Sequence, residues 1–176
     1  MDFAGFWQRF FAGWIDFFVL LPFTILFYWL GSFSRTLSFI FLVPHALLYF
    51  GYTVSLHART GQTLGKRALG IRVVALDGAL IGWHQAFLRS SVDLLFSVLW
   101  IVGGVWGWLV LTDTEFASLG GWALEQRMIE LQPPFFSWVN TASTIWVWSE
   151  VIVMLFNRQR RALHDFIART VVIKVA

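Results

Sequence analysis

Seven side chains are spaced so that they could hold a cation, move a proton or lock helices together: Arg9, Asp16, Arg89, Asp93, Glu150, His164 and Asp165. Asp16, Asp93 and Glu150 fall inside runs of apolar residues. An ionised group there is expensive, and is retained for ion pathways, proton relays or interhelical pairing. Arg9 and Asp16 are seven residues apart, two helical turns, so they share one face with Ala12 and Gly13 between them. The pair His164-Asp165 is the one visible acid/base couple, but no nucleophile or metal-ligating cluster accompanies it. The sequence therefore assigns no catalytic residue, no cofactor and no metal, and gives an enzyme little support.

Depth groups these residues. Asp16 lies six residues past Phe10, roughly 9 Å into the first apolar run at 1.5 Å per residue. Glu150 lies the same distance before Phe156, Asp93 is within a turn of the start of the third run, and Arg9 and Arg89 border the same level. His164 and Asp165 follow the last run just below it. One polar layer on the cytoplasmic side is expected, with Arg9 paired to Asp16 or Asp93 and Arg89 paired to Asp93 or Glu150, because a buried charge without a partner is costly. The opposite half is nearly empty of such groups. His45 near mid-membrane is expected to be a hydrogen-bonded packing residue, and no chain of polar groups across the bilayer is visible.

The elements that must position these groups follow from composition. Of 176 residues 58% are hydrophobic and 13% charged, which excludes an ordinary soluble domain and indicates an integral membrane protein. A single unit is expected over 1–176, with no linker composition to divide it. Four runs approach the ~20 residues a bilayer core requires: about 10–30, 37–56, 91–111 and 135–156. In the first, thirteen Leu, Ile, Phe or Val residues outweigh the insertion cost of Asp16. The fourth is the most polar, so three spans plus a re-entrant segment is the alternative count. The fold class expected is an all-α membrane protein with a small cytoplasmic β element.

With the N-terminus inside, eleven of the thirteen Lys and Arg residues fall on the inner side, and only Arg35 and Arg127 outside. That bias puts both termini in the cytoplasm, in a plasma or inner membrane. The cytoplasmic loop 57–90 contains Gly61, Gln62, Thr63, Leu64, Gly65 and Lys66, but a phosphate loop needs four residues between its glycines and Ser or Thr after Lys, so nucleotide binding is rejected. Residues 71–76 read as a strand, Asp77-Gly78 as a turn, 79–81 as a short return, 170–175 as a second strand to pair with the first, and 83–89 as an interfacial helix. The outer loop 112–134 is expected to carry an amphipathic surface helix over 122–131. Gly103 and Gly107 have the small-xxx-small spacing of close helix approach. The absence of cysteine excludes disulfides and thiolate chemistry, and without a basic surface domain nucleic-acid binding is excluded despite the net charge of +3.

Three blocks in order resemble the RDD family of membrane proteins: Arg9 to Asp16 opening the first helix; Gly61 to Gly78 with its Gly-Gln-Thr-Leu-Gly-Lys-Arg start; and Ala162-Leu-His-Asp165 followed by Thr170-Val-Val-Ile. The Arg and two Asp that name the family correspond to Arg9, Asp16 and Asp165. Arg169, where a Gly often precedes the Thr, and the tryptophan-rich outer loop depart from the pattern. The resemblance implies a multi-pass membrane architecture and leaves activity unsettled; transport has been proposed for the family, and sodium/proton exchange is attributed to some members.

Two functions are carried forward. The first is a structural or assembly subunit, in which the polar layer locks the bundle and the basic cytoplasmic face docks anionic lipid or a membrane-complex partner, a homo-oligomer included. The alternative is a small ion or solute transporter of the cation/proton exchange type, using the intramembrane carboxylates.

Overall fold

Residues 2–175 are described by the computed structural model. In chain order the elements are α1 (Phe6–Gly31), α2 (Arg35–Thr60), α3 (Leu64–Ala68), β1 (Ile71–Ala75), α4 (Trp83–Arg89), α5 (Ser91–Val110), α6 (Asp113–Ser118), α7 (Gly121–Glu130), α8 (Phe136–Phe156), α9 (Leu163–Ile167) and β2 (Thr170–Lys174). Among the described residues four helices, α1, α2, α5 and α8, are long and apolar enough to cross a membrane. Their outward faces are aromatic and aliphatic: Trp7, Phe11, Trp14 and Phe18 of α1 are exposed, Trp7 stacked on Phe11 and Trp14 tilted against Phe18. This surface suits lipid, because a helix satisfies its own backbone groups where no water can do so. Pro22 and Pro44 lie inside α1 and α2 without ending them.

Both α1 and α2 run past the apolar stretches that define them. Helix α1 begins at Phe6 and includes Arg9, and α2 continues through His57 and Arg59 to a left-handed Gly61 at φ 70°. Beyond the hydrocarbon a helix needs only good formers and a stop. Gln8 and Arg9 supply the first, and Gly61 the second, since a Cβ there would meet the Val73 carbonyl.

The helices pack as an antiparallel series. A tight turn joins α1 to α2, with Ser38 Oγ donating to the Gly31 carbonyl at 2.6 Å and Phe27 stacked on Phe41. Leu42 of α2 fills the notch left by Gly104 of α5. The ring of Phe136, at the start of α8, lies directly over Gly103 and edge-on to Trp100. Gly103 and Gly107 therefore admit side chains, Phe136 of α8 and Met128 of α7, where close backbone approach was expected.

At one end of the bundle β1 and β2 pair antiparallel, Val73 opposite Val172. Residues 2–4 run along the other edge of β2, where Ala4 N–H donates to the Val172 carbonyl at 2.9 Å and Lys174 N–H to that of Asp2 at 2.8 Å. Ile71, Val73 and Val172 pack with Ala4, Ala12, Val54, Ile81 and Ala86 into a small core beneath α1, α2 and α4. The return strand expected over 79–81 is reduced to a single bridge, Val74 to Leu80, because Gly82 already caps α4 and leaves no length to pair.

At the other end α7 is the short amphipathic helix expected over 122–131. Before it stands α6, whose cap combines Thr112 and Glu115 reciprocally. Glu115 accepts from the Thr112 backbone and hydroxyl and from Arg127, which lower its pKa to about 2. Arg35 joins α2 to this end through Asp113 at 2.7 Å and the Trp108 carbonyl at 2.6 Å.

A methyl group at Gly103 would overlap the Phe136 ring, whereas Gly51 of α2 has open space around it. Gly103→Ala is expected to lower the melting temperature of the detergent-solubilised protein, and Gly51→Ala to leave it unchanged or raise it.

Candidate functional site

The sheet end of the bundle gathers its charges around Asp165. Helix α9 starts at Leu163 and turns the Asp165 carboxylate inward, where it is wholly buried. Arg9 Nη1 of α1 donates to Oδ2 at 2.7 Å, Arg89 Nη1 from the end of α4 donates to Oδ1, and Ala162 N–H donates to Oδ2 at 3.0 Å. Thr170 of β2 completes the shell, accepting from Arg89 at 2.9 Å while its hydroxyl faces Asp165 Oδ1 at 3.3 Å. Arg9 Nη2 also donates to the Arg160 carbonyl, and Arg161 donates to the carbonyls of Thr170 and Asp165. Burial alone would raise the Asp165 pKa, but the charges of Arg89 and Arg9 prevail and hold it well below the usual carboxylate range.

His164 connects this clamp to α8. Its Nε2 lies 2.7 Å from Arg89 Nη2, and its backbone N–H donates to Glu150 Oε1 at 2.9 Å, while Nδ1 contacts Glu150 Oε2. A guanidinium can only donate, so the network assigns Nε2 as the acceptor and puts the ring proton on Nδ1, facing Glu150.

Asp16 is held separately. Its carboxylate is buried and accepts from the Tyr52 hydroxyl at 2.6 Å, the Thr63 hydroxyl at 2.6 Å and the Gly65 N–H at 2.7 Å. The Gly61 to Arg67 segment that resembles a phosphate loop is thus the docking piece for this carboxylate. Thr63 caps α3, and Gly65 must lack a side chain because a Cβ would overlap the Ala12 carbonyl oxygen.

Between clamp and anchor lies a cavity of about 270 Å³, bounded by α1, α2, α5 and α8. Asp93 and Glu150 line one wall, and Thr53, His57 and Lys66 another. Asp93 is exposed at this opening, with Trp146 Nε1 at 3.2 Å as its side-chain donor. Thr53 Oγ1 and both ring nitrogens of His57 are buried and find no hydrogen-bond partner among the described residues. Burial, with the Arg89 charge beside it, lowers the Lys66 pKa to about 8, although Asp16 opposes this. No group of three His, Asp or Glu suited to a metal ion occurs among the described residues.

The expected pairs are therefore corrected. Arg9 joins neither Asp16 nor Asp93, and Arg89 joins neither Asp93 nor Glu150; both converge on Asp165. Two helical turns separate Arg9 from Asp16 by about 10 Å along the axis, and α3 and Tyr52 occupy the intervening carboxylate side. Five of the seven sequence candidates, Arg9, Arg89, Glu150, His164 and Asp165, form one network; Asp93 lines the cavity without joining it, and Asp16 is anchored apart. Sequence reasoning missed Tyr52, Thr63, Lys66, Thr53 and His57. The four-residue spacing of Thr53 and His57 on α2, and a Thr placed to cap a short basic helix, were the available signals.

The RDD family profile matches residues 3–169, and the chain belongs to the RDD family, whose members are membrane proteins. Over 91 residues the chain is 35% identical to the uncharacterized protein YckC of Bacillus subtilis (strain 168), which covers 51% of this chain and 58% of that protein. The match thus spans little more than half the length of this curated relative. No solved structure matches.

Asp165→Asn leaves two buried arginines without a counter-charge and is expected to cost roughly 3–5 kcal/mol of stability, read from thermal unfolding in detergent. The folded pKa of Asp165 lies below its unfolded value near 4, so its contribution is complete above about pH 4 and is lost as the pH falls toward the folded value. The melting temperature of the wild type is therefore expected to drop more steeply below about pH 4 than that of Asp165→Asn.

Proposed function

We propose that this RDD-family protein binds a small cation or polar solute in the cavity between α1, α2, α5 and α8 and moves it across the membrane by exchange at Asp93 and Glu150. One observation carries this reading. These two carboxylates line the cavity without an arginine partner, while both nearby arginines are held by Asp165. A carboxylate with no fixed cation, in a membrane cavity, takes up a proton or a mobile cation in its place. His164 gives Glu150 a titratable neighbour, and Lys66 adds an amine whose charge burial disfavours. At about 270 Å³ the cavity falls below the roughly 300–1,000 Å³ of drug-sized sites, which favours an ion or small solute.

In this reading the sheet end faces the cytoplasm of a plasma or inner membrane, with both termini inside. The support is the distribution of basic residues, eleven of thirteen at that end. A structural or assembly subunit is the second reading. Its support is the exposed set Arg59, Arg67, Arg158, Arg160 and Arg169 at the same end, which suits anionic lipid headgroups or an acidic partner.

Proteoliposomes loaded with a pH-sensitive dye test the choice. Sodium or potassium gradients are expected to drive proton movement that falls at least tenfold in the double variant Asp93→Asn, Glu150→Gln and persists in Asp113→Asn, whose carboxylate lies at the opposite end of the bundle. Undiminished movement in the double variant would overturn the exchange at these carboxylates. Wild-type vesicles indistinguishable from empty ones, with binding to anionic vesicles retained, would favour the assembly reading.

A further inference from the structure

Helix α2 carries a polar stripe that neither the clamp nor the anchor uses. His45, Tyr49, Thr53 and His57 recur every four residues, which sets them on one face over about 18 Å. Tyr49, Thr53 and His57 line the cavity at the sheet end. His45 lines a second cavity of about 660 Å³ at the other end, formed by α1, α2 and α5 and covered by α6 and α7. One helical turn, about 6 Å, separates His45 from Tyr49.

The condition of these side chains is the informative part. His45 and Tyr49 are exposed and each lines one of the cavities, Tyr49 being 50% exposed. Thr53 Oγ1 and the His57 ring nitrogens are buried and unpartnered among the described residues. Each such group costs about 1–3 kcal/mol if it is left dry, so Thr53 and His57 together, one turn apart, would burden the fold. A lipid chain supplies no donor or acceptor, and a partner helix has already satisfied its backbone internally. Water offers both donor and acceptor.

We propose that the two cavities are the ends of one water-filled route along the His45, Tyr49, Thr53 and His57 face of α2. The route joins the site at Asp93 and Glu150 to the opposite side of the bundle. It departs from the expectation of an outer half with a solitary packing histidine and no polar chain across the bilayer. What travels along the route rests on the transport reading above; the presence of water in it does not.

The cysteine-free chain permits a direct test. Single cysteines at Ala46, Tyr49 and Thr53 would be treated in proteoliposomes with a charged, membrane-impermeant methanethiosulfonate, which reacts with the thiolate and so requires water. Val43 is the control: it is exposed on the same helix, close in depth to Ala46, and lines neither cavity. The expected result is modification at 46, 49 and 53 at least tenfold faster than at 43. A rate at 46 or 53 no greater than at 43 would overturn the route; Ala46→Cys and Thr53→Cys change side-chain volume little, so this holds even if Tyr49→Cys fails to fold. Fast labelling without any flux would sink the transport reading and leave the route standing, whereas flux with protected thiols would do the reverse.

Discussion

The architecture depends on one buried carboxylate between two arginines. Asp165 is separated by 156 residues from Arg9 and by 76 from Arg89, so its two ion pairs tie the beginning of the chain, the α4 to α5 joint and the C-terminal segment at a single point. A carboxylate taken out of water loses a large hydration energy, which only close charges and filled lone pairs return. Here Arg9, Arg89, Ala162 and Thr170 fill them. The net gain over an apolar core of similar volume is small, but any other arrangement leaves charges buried alone. The clamp therefore specifies how the ends meet, and it places β2 where residues 2–4 and β1 can pair on its two edges.

Asp16 solves the same problem with neutral donors. Two hydroxyls and one backbone N–H replace an arginine, and the N-terminal end of a short helix adds a favourable dipole. The consequence is spatial. Because Asp16 needs no arginine, Arg9 is free to reach Asp165, and the cavity between the two centres keeps Asp93, Glu150, His57 and Lys66 without guanidinium partners. The locked residues and the unlocked ones lie in the same layer, and the first make the second affordable.

How much of this is legible in the sequence follows from what periodicity encodes. Apolar runs and basic flanks locate the four long helices, the β-branched segments at 71–76 and 170–175 locate the sheet, and residue counts give the depth of each charge. Azimuth is another matter. Whether Arg9 turns toward Asp16 or toward Asp165 depends on how α3 and α9 dock, which no local pattern states. The start of α1 and the end of α2 also escape hydropathy, because outside the hydrocarbon a helix extends on propensity, and α2 stops only at a glycine. The α2 stripe was legible, since its spacing is plain in the residues; taking His45 alone obscured it. Thr63 and Gly65 were hidden behind a false likeness to a phosphate loop, and only the overlap of a Cβ at Gly65 with the Ala12 carbonyl explains that glycine.

His164 makes the locked and unlocked halves interdependent. Its ring accepts from Arg89 on one side and faces Glu150 with Nδ1 on the other. A proton or cation arriving at Glu150 weakens the attraction for that Nδ1–H, and a second proton on the ring would remove the acceptor that Arg89 uses. Either event alters the electrostatic balance that keeps Arg89 on Asp165. Helix α8 is the element best placed to respond, because it meets α5 through Phe136 and Trp146 and meets α9 through Glu150, with little other packing to hold it. On the exchange reading, a change of charge at Glu150 reaches Arg89 through the imidazole of His164, and one at Asp93 reaches α8 through Trp146.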